Sequence, residues 1–152
     1  MSTLEQRIAR LEAIEEIKQL KARYCAVGDA PFDDRAISAL FTPDAVWDGG
    51  RFGRHEGIAA ILAIFKRTKD VAVFSAHLIA NPIIAVDCDR ATGQWWILCP
   101  GTRVQDGGKH AYWMLVRYHD VYVRRDGRWL IREVNADFKF VALHRDGWAD
   151  KT

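Results

Sequence analysis

Apolar residues recur at intervals of three or four positions through the first part of the chain and predict one long amphipathic helix. Ser2 followed by Glu5 has the form of a capping box that would begin this helix, and Gly28 lies near its expected end. The apolar stripe consists of Leu4, Ile8, Leu11, Ile14, Ile17, Leu20 and Tyr24.

Two shorter helices and a short strand are expected next. Asp33 and Asp34 can cap the first of these helices, and Pro43 would end it. The second helix is predicted over residues 57–66, and residues 45–47 would form a strand between the two. The apolar positions are Ile37, Leu40 and Phe41 in the first helix, and Ile58, Ile61, Leu62 and Phe65 in the second.

The pattern then changes to runs of β-branched and aromatic residues, which predict strands. These runs cover residues 71–74, 77–86, 94–104, 112–124 and 128–141. Asp126-Gly127 is the clearest hairpin signal, because this dipeptide tolerates the positive φ angles of tight turns. Helices followed by antiparallel hairpins are typical of an α+β fold with the helices on one face of a curved sheet. We expect a single domain over residues 1–152, with a cone-shaped cavity at the open end of the sheet.

Composition restricts the kinds of partner that the chain can have. It has 152 residues, enough for one sizeable core, and a formal charge of +2 with acidic and basic residues interspersed. Nucleic-acid grooves and membrane surfaces usually show a basic cluster instead, so we expect a small molecule or another protein as partner. Cys25, Cys88 and Cys99 have no disulfide or zinc spacing. A polar N-terminus and short apolar runs predict a cytoplasmic protein without a membrane span.

Four segments resemble the SnoaL-like domains of the nuclear transport factor 2-like superfamily. They read LEAIEEIKQLKARY at 11–24, LFTPDAVWD at 40–48, RHEGI at 54–58 and YVRRDGRW at 122–129. The resemblance extends over nearly the whole chain and implies a cone-shaped α+β barrel, with N-terminal helices packed in the concave face of a curved, mostly antiparallel sheet. This superfamily contains enzymes and binding modules, so the resemblance implies the fold more specifically than the reaction.

Within that superfamily, the chain is most similar to the branch that contains scytalone dehydratase, bile acid 7α-dehydratase and lindane dehydrochlorinase. The resemblance implies that Asp29 orients His77, which removes a proton from the substrate. It also implies that Tyr24, five residues before Asp29, faces a substrate oxygen. Arg132 is a candidate to hold an anionic or carbonyl group, because it lies two residues from the position where the dehydrochlorinase has an arginine.

This set of residues fits the elimination of water from a β-hydroxy carbonyl compound, or the isomerisation of an unsaturated one. His77 would act as the general base, and Asp29 would fix its tautomer and stabilise the imidazolium. Tyr24 would donate a hydrogen bond to the developing oxyanion, which is typically worth on the order of 3 kcal/mol. A charged neighbour and an apolar pocket shift the pKa of His77 in opposite directions. The chemistry requires no metal, flavin or nicotinamide, and we expect no cofactor.

The walls of the pocket follow from strand alternation and from the resemblance. The resemblance assigns to the cavity the face of one strand that carries Tyr112, Met114, Val116 and Tyr118. Trp47 and Leu98 are further candidates for contact with a hydrophobic cyclic or polyketide-like substrate. The opposite face carries Trp113 and Leu115, and a second subunit would have to cover it. We therefore expect a homo-oligomer, a dimer or a trimer.

Each candidate also has a purely structural interpretation. His77 could be a hydrogen-bonded structural residue, Asp29 a turn residue, Tyr24 part of the apolar stripe, and Arg132 an exposed ion-pair residue. The alternative functions are a small-ligand-binding or adaptor module without catalysis, and an accessory protein like the small subunit of a ring-hydroxylating oxygenase. The segment 143–152, with Trp148, could close the pocket mouth or extend across a neighbouring subunit.

Overall fold

The computed structural model describes residues 3–145 and 147–151. Within these residues the chain forms three α-helices, seven strands and two short 3-10 turns. The helices are α1 (Leu4–Asp29), α2 (Asp34–Ser38) and α3 (Ile58–Lys69), and the 3-10 turns are Gly50–Phe52 and Ala149–Lys151. The strands are β1 (Phe41–Asp48), β2 (Arg54–Glu56), β3 (Ala72–Ser75), β4 (Leu78–Asp87), β5 (Arg90–Gln105), β6 (Gly108–Arg125) and β7 (Arg128–Leu143).

The strands form one curved, unclosed mixed sheet with the helices packed against it. The strand order is β2-β1-β7-β6-β5-β3, with β4 also pairing to β5. The β1–β7 pair is parallel, and the other recorded strand pairs are antiparallel. The core lies between the helices and the long strands β5 to β7, where Ile17 and Leu20 meet residues such as Ile97 and Ile131. The predicted α+β fold is confirmed.

The long first helix begins with a capping box one position later than predicted. Thr3 is the N-cap: its side chain accepts a hydrogen bond from the Gln6 backbone, and the Gln6 side chain accepts one from the Thr3 backbone. Ser2 lies outside the described residues. The second half of the apolar stripe is buried, whereas Leu4 and Leu11 are exposed, so the N-terminal turns of α1 extend beyond the core. No helix in the described part of the chain is long and apolar enough to cross a membrane.

The predicted second helix extends too far in sequence. It ends at Ser38, and Phe41 begins β1, which also contains Pro43. Pairing with β7 decides this boundary, since Phe41 lies in register with Ile131. Pro43 is tolerated because the β1–β7 register is irregular between Phe41 and Val46. The short strand β2 was not predicted from the sequence.

The C-terminal segment packs on the sheet of its own chain. The ring of Trp148 is perpendicular to that of Trp113, with centroids 5.1 Å apart, and stacks on His144 at 4.9 Å. Trp113 lies on the face of β6 opposite to Met114, which packs against the core. The tail therefore covers the outer face of the sheet near Trp113, so a second subunit is not needed to shield this tryptophan.

Candidate active site

Asp29 and His77 form a hydrogen-bonded pair where the end of α1 meets the start of β4. Oδ1 of Asp29 lies 2.6 Å from Nδ1 of His77, and Oδ2 accepts a hydrogen bond of 2.9 Å from the His77 backbone N–H. Ser75 Oγ donates to Oδ1 at 2.9 Å. An ionised carboxylate can only accept, so Nδ1 carries the proton and Nε2 is the nitrogen left to act as a base. The structure thus brings together the two residues that the sequence predicted as a pair.

The pKa values of this pair move in opposite directions. Burial acts to raise the pKa of Asp29, but its hydrogen bonds from His77 and Ser75 outweigh burial and hold the pKa below its usual value. Burial acts to lower the pKa of His77, but the hydrogen bond to Asp29 and the nearby Cys99 side chain raise it to about 9. The two side chains therefore form an ion pair near neutral pH, and the imidazole becomes neutral as the pH rises through about 9.

The His77 ring lies between helix α1 and strand β5. A Cβ atom at Gly28 would lie 3.5 Å from Cε1 of the ring, so the helix backbone contacts it on one side. Leu78 pairs with Leu98, and the Ala76 backbone N–H donates to the carbonyl of Pro100, which places His77 beside the buried Cys99. These contacts hold the His77 ring in the orientation in which Nδ1 is hydrogen-bonded to Asp29.

Tyr24 and Trp47 lie in a closed aromatic cluster. Trp47 Nε1 donates a hydrogen bond of 2.9 Å to the Tyr24 hydroxyl. The Tyr24 ring makes edge contacts with Phe41, Phe65 and Tyr118, each with centroids 6.1 Å away. Burial raises the pKa of Tyr24 above its usual value. The structure thus brings Tyr24, Trp47 and Tyr118 together with the fully buried Val116, as expected for pocket residues. Their side chains, however, fill the interior of the cone.

Tyr112 lies over Gly101, on the strand β5 that pairs with the Ser75 segment. A Cβ atom at Gly101 would clash with the Tyr112 hydroxyl oxygen, so the ring leans across β5 and requires glycine there. Gly101 pairs in register with Ser75, the residue that donates to Asp29. Burial raises the pKa of Tyr112 to about 12, with further contributions from the charges of Cys99 and Asp29. Its hydroxyl therefore keeps its proton at neutral pH and can donate it.

Two predicted pocket residues lie elsewhere. The Arg132 guanidinium donates to the Asp44 carbonyl at 2.8 Å and lies 3.6 Å from its carboxylate. The reason is a bulge: the β6–β7 register shifts at Val121/Tyr122, which reverses the alternation of faces along β7. Leu98 is 37% exposed and pairs with Leu115 on the outer face, because the inward positions of β5 are its odd-numbered neighbours.

Lys21 and Asp120 form a buried ion pair that the sequence analysis missed. Lys21 Nζ lies 2.7 Å from Asp120 Oδ2, and both side chains are 0% exposed. The same oxygen accepts a hydrogen bond of 2.7 Å from the Tyr122 hydroxyl, which accepts one from Trp95. Two patterns could have revealed the pair. Lys21 is three residues before Tyr24 on the apolar stripe, and Asp120 alternates with the inward-facing Tyr122.

A cavity of about 480 Å³ has Asp29 among its lining residues. Its lining residues include Ser75, Lys69 and the rings of Phe32 and Phe74. A larger cavity of about 1100 Å³ lies between α1, α2 and residues 127–130, and neither Asp29 nor Ser75 is among its lining residues. The smaller cavity is the better candidate for a substrate, because it adjoins the only carboxylate-histidine pair hydrogen-bonded within the described residues. Those residues contain no cluster of three His, Cys, Asp or Glu side chains arranged to hold a metal ion.

Comparisons with known proteins give a consistent result. The sequence profile of the SnoaL-like domain family matches residues 9–135. Hexachlorocyclohexane dehydrochlorinase LinA-type3 from Novosphingobium barchaimii LL02 superposes with a TM-score of 0.83 at 20% identity, covering 93% of this chain and 96% of that chain. A scytalone dehydratase-like protein from Novosphingobium aromaticivorans DSM 12444 gives 0.79 at 16% identity, covering 91% of each chain.

A third solved structure, a nuclear transport factor 2-like protein with a cystatin-like fold from Novosphingobium aromaticivorans, has a TM-score of 0.70 at 23% identity. It covers 99% of this chain and 97% of its own. No curated protein matches the sequence. At these identities the structural likeness concerns the fold, and the predicted resemblance is confirmed at that level.

Proposed function

The chain belongs to the SnoaL-like domain family, and from this premise we propose that it is a cofactor-independent lyase or isomerase of the dehydratase type. The observation that carries the proposal is the Asp29–His77 pair, in which three hydrogen bonds fix the carboxylate and one of them engages Nδ1 of the imidazole. A base oriented by a partly buried carboxylate is an arrangement suited to α-proton removal.

The proposed reaction begins with His77. In an elimination, Nε2 accepts the α-proton of a β-hydroxy carbonyl compound, and the electron pair of the C–H bond forms the new double bond. The β-hydroxyl group leaves as water after taking a proton from a tyrosine. We assign this donor role to Tyr112 rather than Tyr24, because the Tyr24 hydroxyl is enclosed by Trp47 and other aromatic rings. In an isomerisation the imidazolium would return its proton to a different carbon.

A non-catalytic ligand-binding module is the second candidate. The raised pKa of His77, about 9, keeps the imidazole largely protonated at neutral pH, and a protonated ring cannot accept a proton. Aromatic side chains also fill the interior of the cone, so less space remains there for a substrate than in an open cone. This alternative would use the same cavity and would make the Asp29–His77 pair a structural ion pair.

Proton exchange distinguishes the two candidates. Wild-type protein is expected to exchange the α-protons of cyclic β-hydroxy ketones and enones with deuterium from solvent, and the rate should rise between pH 7 and 9 as His77 loses its proton. His77→Gln should lower this rate by about 10²- to 10⁴-fold, the usual contribution of a general base. The rate is measured by NMR at several pH values.

His119→Gln is the matched control, since His119 is exposed on the outer face of β6 and should leave exchange unchanged. Exchange that survives intact in His77→Gln would contradict the proposed base. Ligand binding without exchange in wild-type protein would favour the binding module.

We also propose that a second copy of the chain covers the outer face of the sheet. Leu78, Leu98, Leu115 and Phe140 lie side by side in register across β4 to β7. The exposed fraction is 56% for Leu78, 37% for Leu98 and 45% for Phe140. A continuous apolar row of this kind favours subunit contact.

Leu98→Glu is therefore expected to shift the protein from an oligomer to a monomer in analytical ultracentrifugation, with an unchanged circular dichroism spectrum. Val104→Glu places the same charge on the same strand away from this row and should leave the oligomer intact. A wild-type protein that sediments as a monomer at high concentration would refute the contact.

A further inference from the structure

Four exposed apolar side chains lie together at one end of the sheet. Val71, Val73, Phe74 and Val104 are each between 37% and 47% exposed. The sheet brings their two segments together: the Val104 backbone N–H donates a hydrogen bond of 2.9 Å to the carbonyl of Val71, and Phe74 pairs in register with Thr102. We call these four side chains the β3 patch. Exposed apolar side chains that adjoin one another indicate a contact surface, which scattered ones do not.

Three members of the β3 patch share the outer face of the sheet. Val71 and Val104 lie opposite each other on adjacent strands, because their neighbours Ala72 and Arg103 pair in register. A register shift between Ala72 and Phe74 then brings Phe74 to this same face. The patch is therefore continuous across β3 and β5.

Three cations precede the β3 patch in the last turn of α3. They are Lys66, Arg67 and Lys69, and no carboxylate of the described residues lies within ion-pair distance of them. Asp70 is the one acid of this segment, so the three bases and one acid of residues 66–74 give a formal charge of +2, as large as that of the whole chain. The interspersed charges of the whole chain therefore did not indicate this local excess.

The 480 Å³ cavity adjoins the β3 patch. Val73 and Phe74 line this cavity and also belong to the patch, while Lys69 lines it from α3. Phe32 continues the apolar wall from the segment after α1. Since Val73 and Phe74 are partly exposed to solvent, the cavity reaches the surface at the patch. A partner that covers the patch would therefore also face the cavity mouth.

From this arrangement we infer that the β3 patch docks on the surface of an anionic lipid bilayer. The apolar side chains would leave water at the boundary between headgroups and acyl chains, and the cations of α3 would lie against anionic headgroups. A second copy of the chain fits less well, because a two-fold contact would bring the patch and its positive charge against themselves. This docking does not depend on the proposed function.

Co-sedimentation with lipid vesicles tests the inference. Wild-type protein is expected to bind vesicles of phosphatidylcholine with about 30% phosphatidylglycerol at least about tenfold more tightly than vesicles of phosphatidylcholine alone. Raising the salt concentration from about 0.1 M to about 1 M should remove most of this difference, because the Debye length falls from about 10 Å to about 3 Å. The double variant Lys66→Gln/Arg67→Gln should weaken binding to the anionic vesicles at least about tenfold. Val104→Glu should weaken it similarly, since it places an acid within the apolar patch.

Each variant has a matched control. Arg124→Gln/Arg128→Gln removes the same charge from two exposed positions near the last hairpin. That hairpin follows the end of β6, whereas Val104 pairs near its beginning, so vesicle affinity should change less than about twofold. Leu4→Glu places an acid at another exposed apolar position and should also leave vesicle binding unchanged. Circular dichroism and thermal unfolding of each variant show that the fold is retained.

Equal binding of wild-type protein to both kinds of vesicle, or undiminished binding in Lys66→Gln/Arg67→Gln, would overturn the inference. A fall in the sedimentation coefficient of Val104→Glu without vesicles would assign the patch to a contact between copies of the chain, and would overturn it as well. His77→Gln should bind anionic vesicles as wild-type protein does, so the docking and the proposed reaction are tested independently.

Discussion

Asp29→Asn is expected to slow α-proton exchange about 10³-fold, within the range that an oriented general base contributes. Two changes weaken the base, although a larger fraction of the imidazole is neutral at pH 7. The asparagine amide can present an N–H group to Nδ1, which would leave the proton on Nε2, the nitrogen that must accept one. The negative charge that raises the pKa of His77 is also removed, while burial continues to lower that pKa.

The same variant should therefore change the titration of His77. In wild-type protein the ring is protonated below about pH 9, so its NMR signals should shift with a midpoint near that pH. In Asp29→Asn the midpoint should fall below the usual histidine value of about 6.5. Asp89→Asn, a substitution of an exposed residue in the turn after β4, should leave both rate and midpoint unchanged. An unchanged midpoint in Asp29→Asn would show that the carboxylate does not control the ring.

Lys21→Met is expected to lower the free energy of unfolding by about 3–5 kcal/mol, the usual effect of removing one partner of a buried ion pair. Asp120 would remain fully buried, with the Tyr122 hydroxyl as its donor. Its Oδ1 atom already has no hydrogen-bond partner, so little is available to compensate the charge. Urea denaturation followed by circular dichroism measures the change. Lys18→Met, at a partly exposed position of the same helix, should change stability by less than about 0.5 kcal/mol.

The double variant Lys21→Met/Asp120→Asn checks the cause of this loss. It removes both charges and retains an oxygen to accept from Tyr122, so it should be clearly more stable than Lys21→Met. A double variant that is as unstable as the sum of the two single variants would mean that the charges do not interact. In that case Lys21 would stabilise the fold mainly through its contacts with aromatic rings, since its Nζ lies 4.0 Å from the centroid of Tyr118.

Local patterns in the sequence predicted much of the secondary structure. The stripe from Leu4 to Tyr24 predicted α1, and the Asp126-Gly127 dipeptide predicted the last hairpin, where both residues have positive φ angles. Both signals depend on neighbouring residues, which is why a single sequence carries them. The pairing of Asp29 with His77 was predicted in another way, through the resemblance of the chain to a family, since nothing local connects residues 48 positions apart.

Residue alternation predicted strand faces only where the pairing is regular. It put Val116 and Tyr118 on one face, which the resemblance assigned to the cavity, and both are buried where β5 and β6 pair without a bulge. It failed for Arg132, because the register shift in β7 exchanges the two faces of that strand. A bulge depends on how two strands fit together along their length, and the sequence of one strand does not reveal it.

The sequence by itself determined the α+β fold, the order of its elements and the family, because these follow from periodicity and from motifs spread along the chain. Only the tertiary structure decided what fills the cone and where its charges lie. The burial of Lys21 against Asp120, the closed cluster around Tyr24 and the contact of Arg103 with the Tyr112 ring all depend on contacts between distant segments. Such contacts are fixed by the curvature and register of the sheet, which set the distances between side chains that the sequence places far apart.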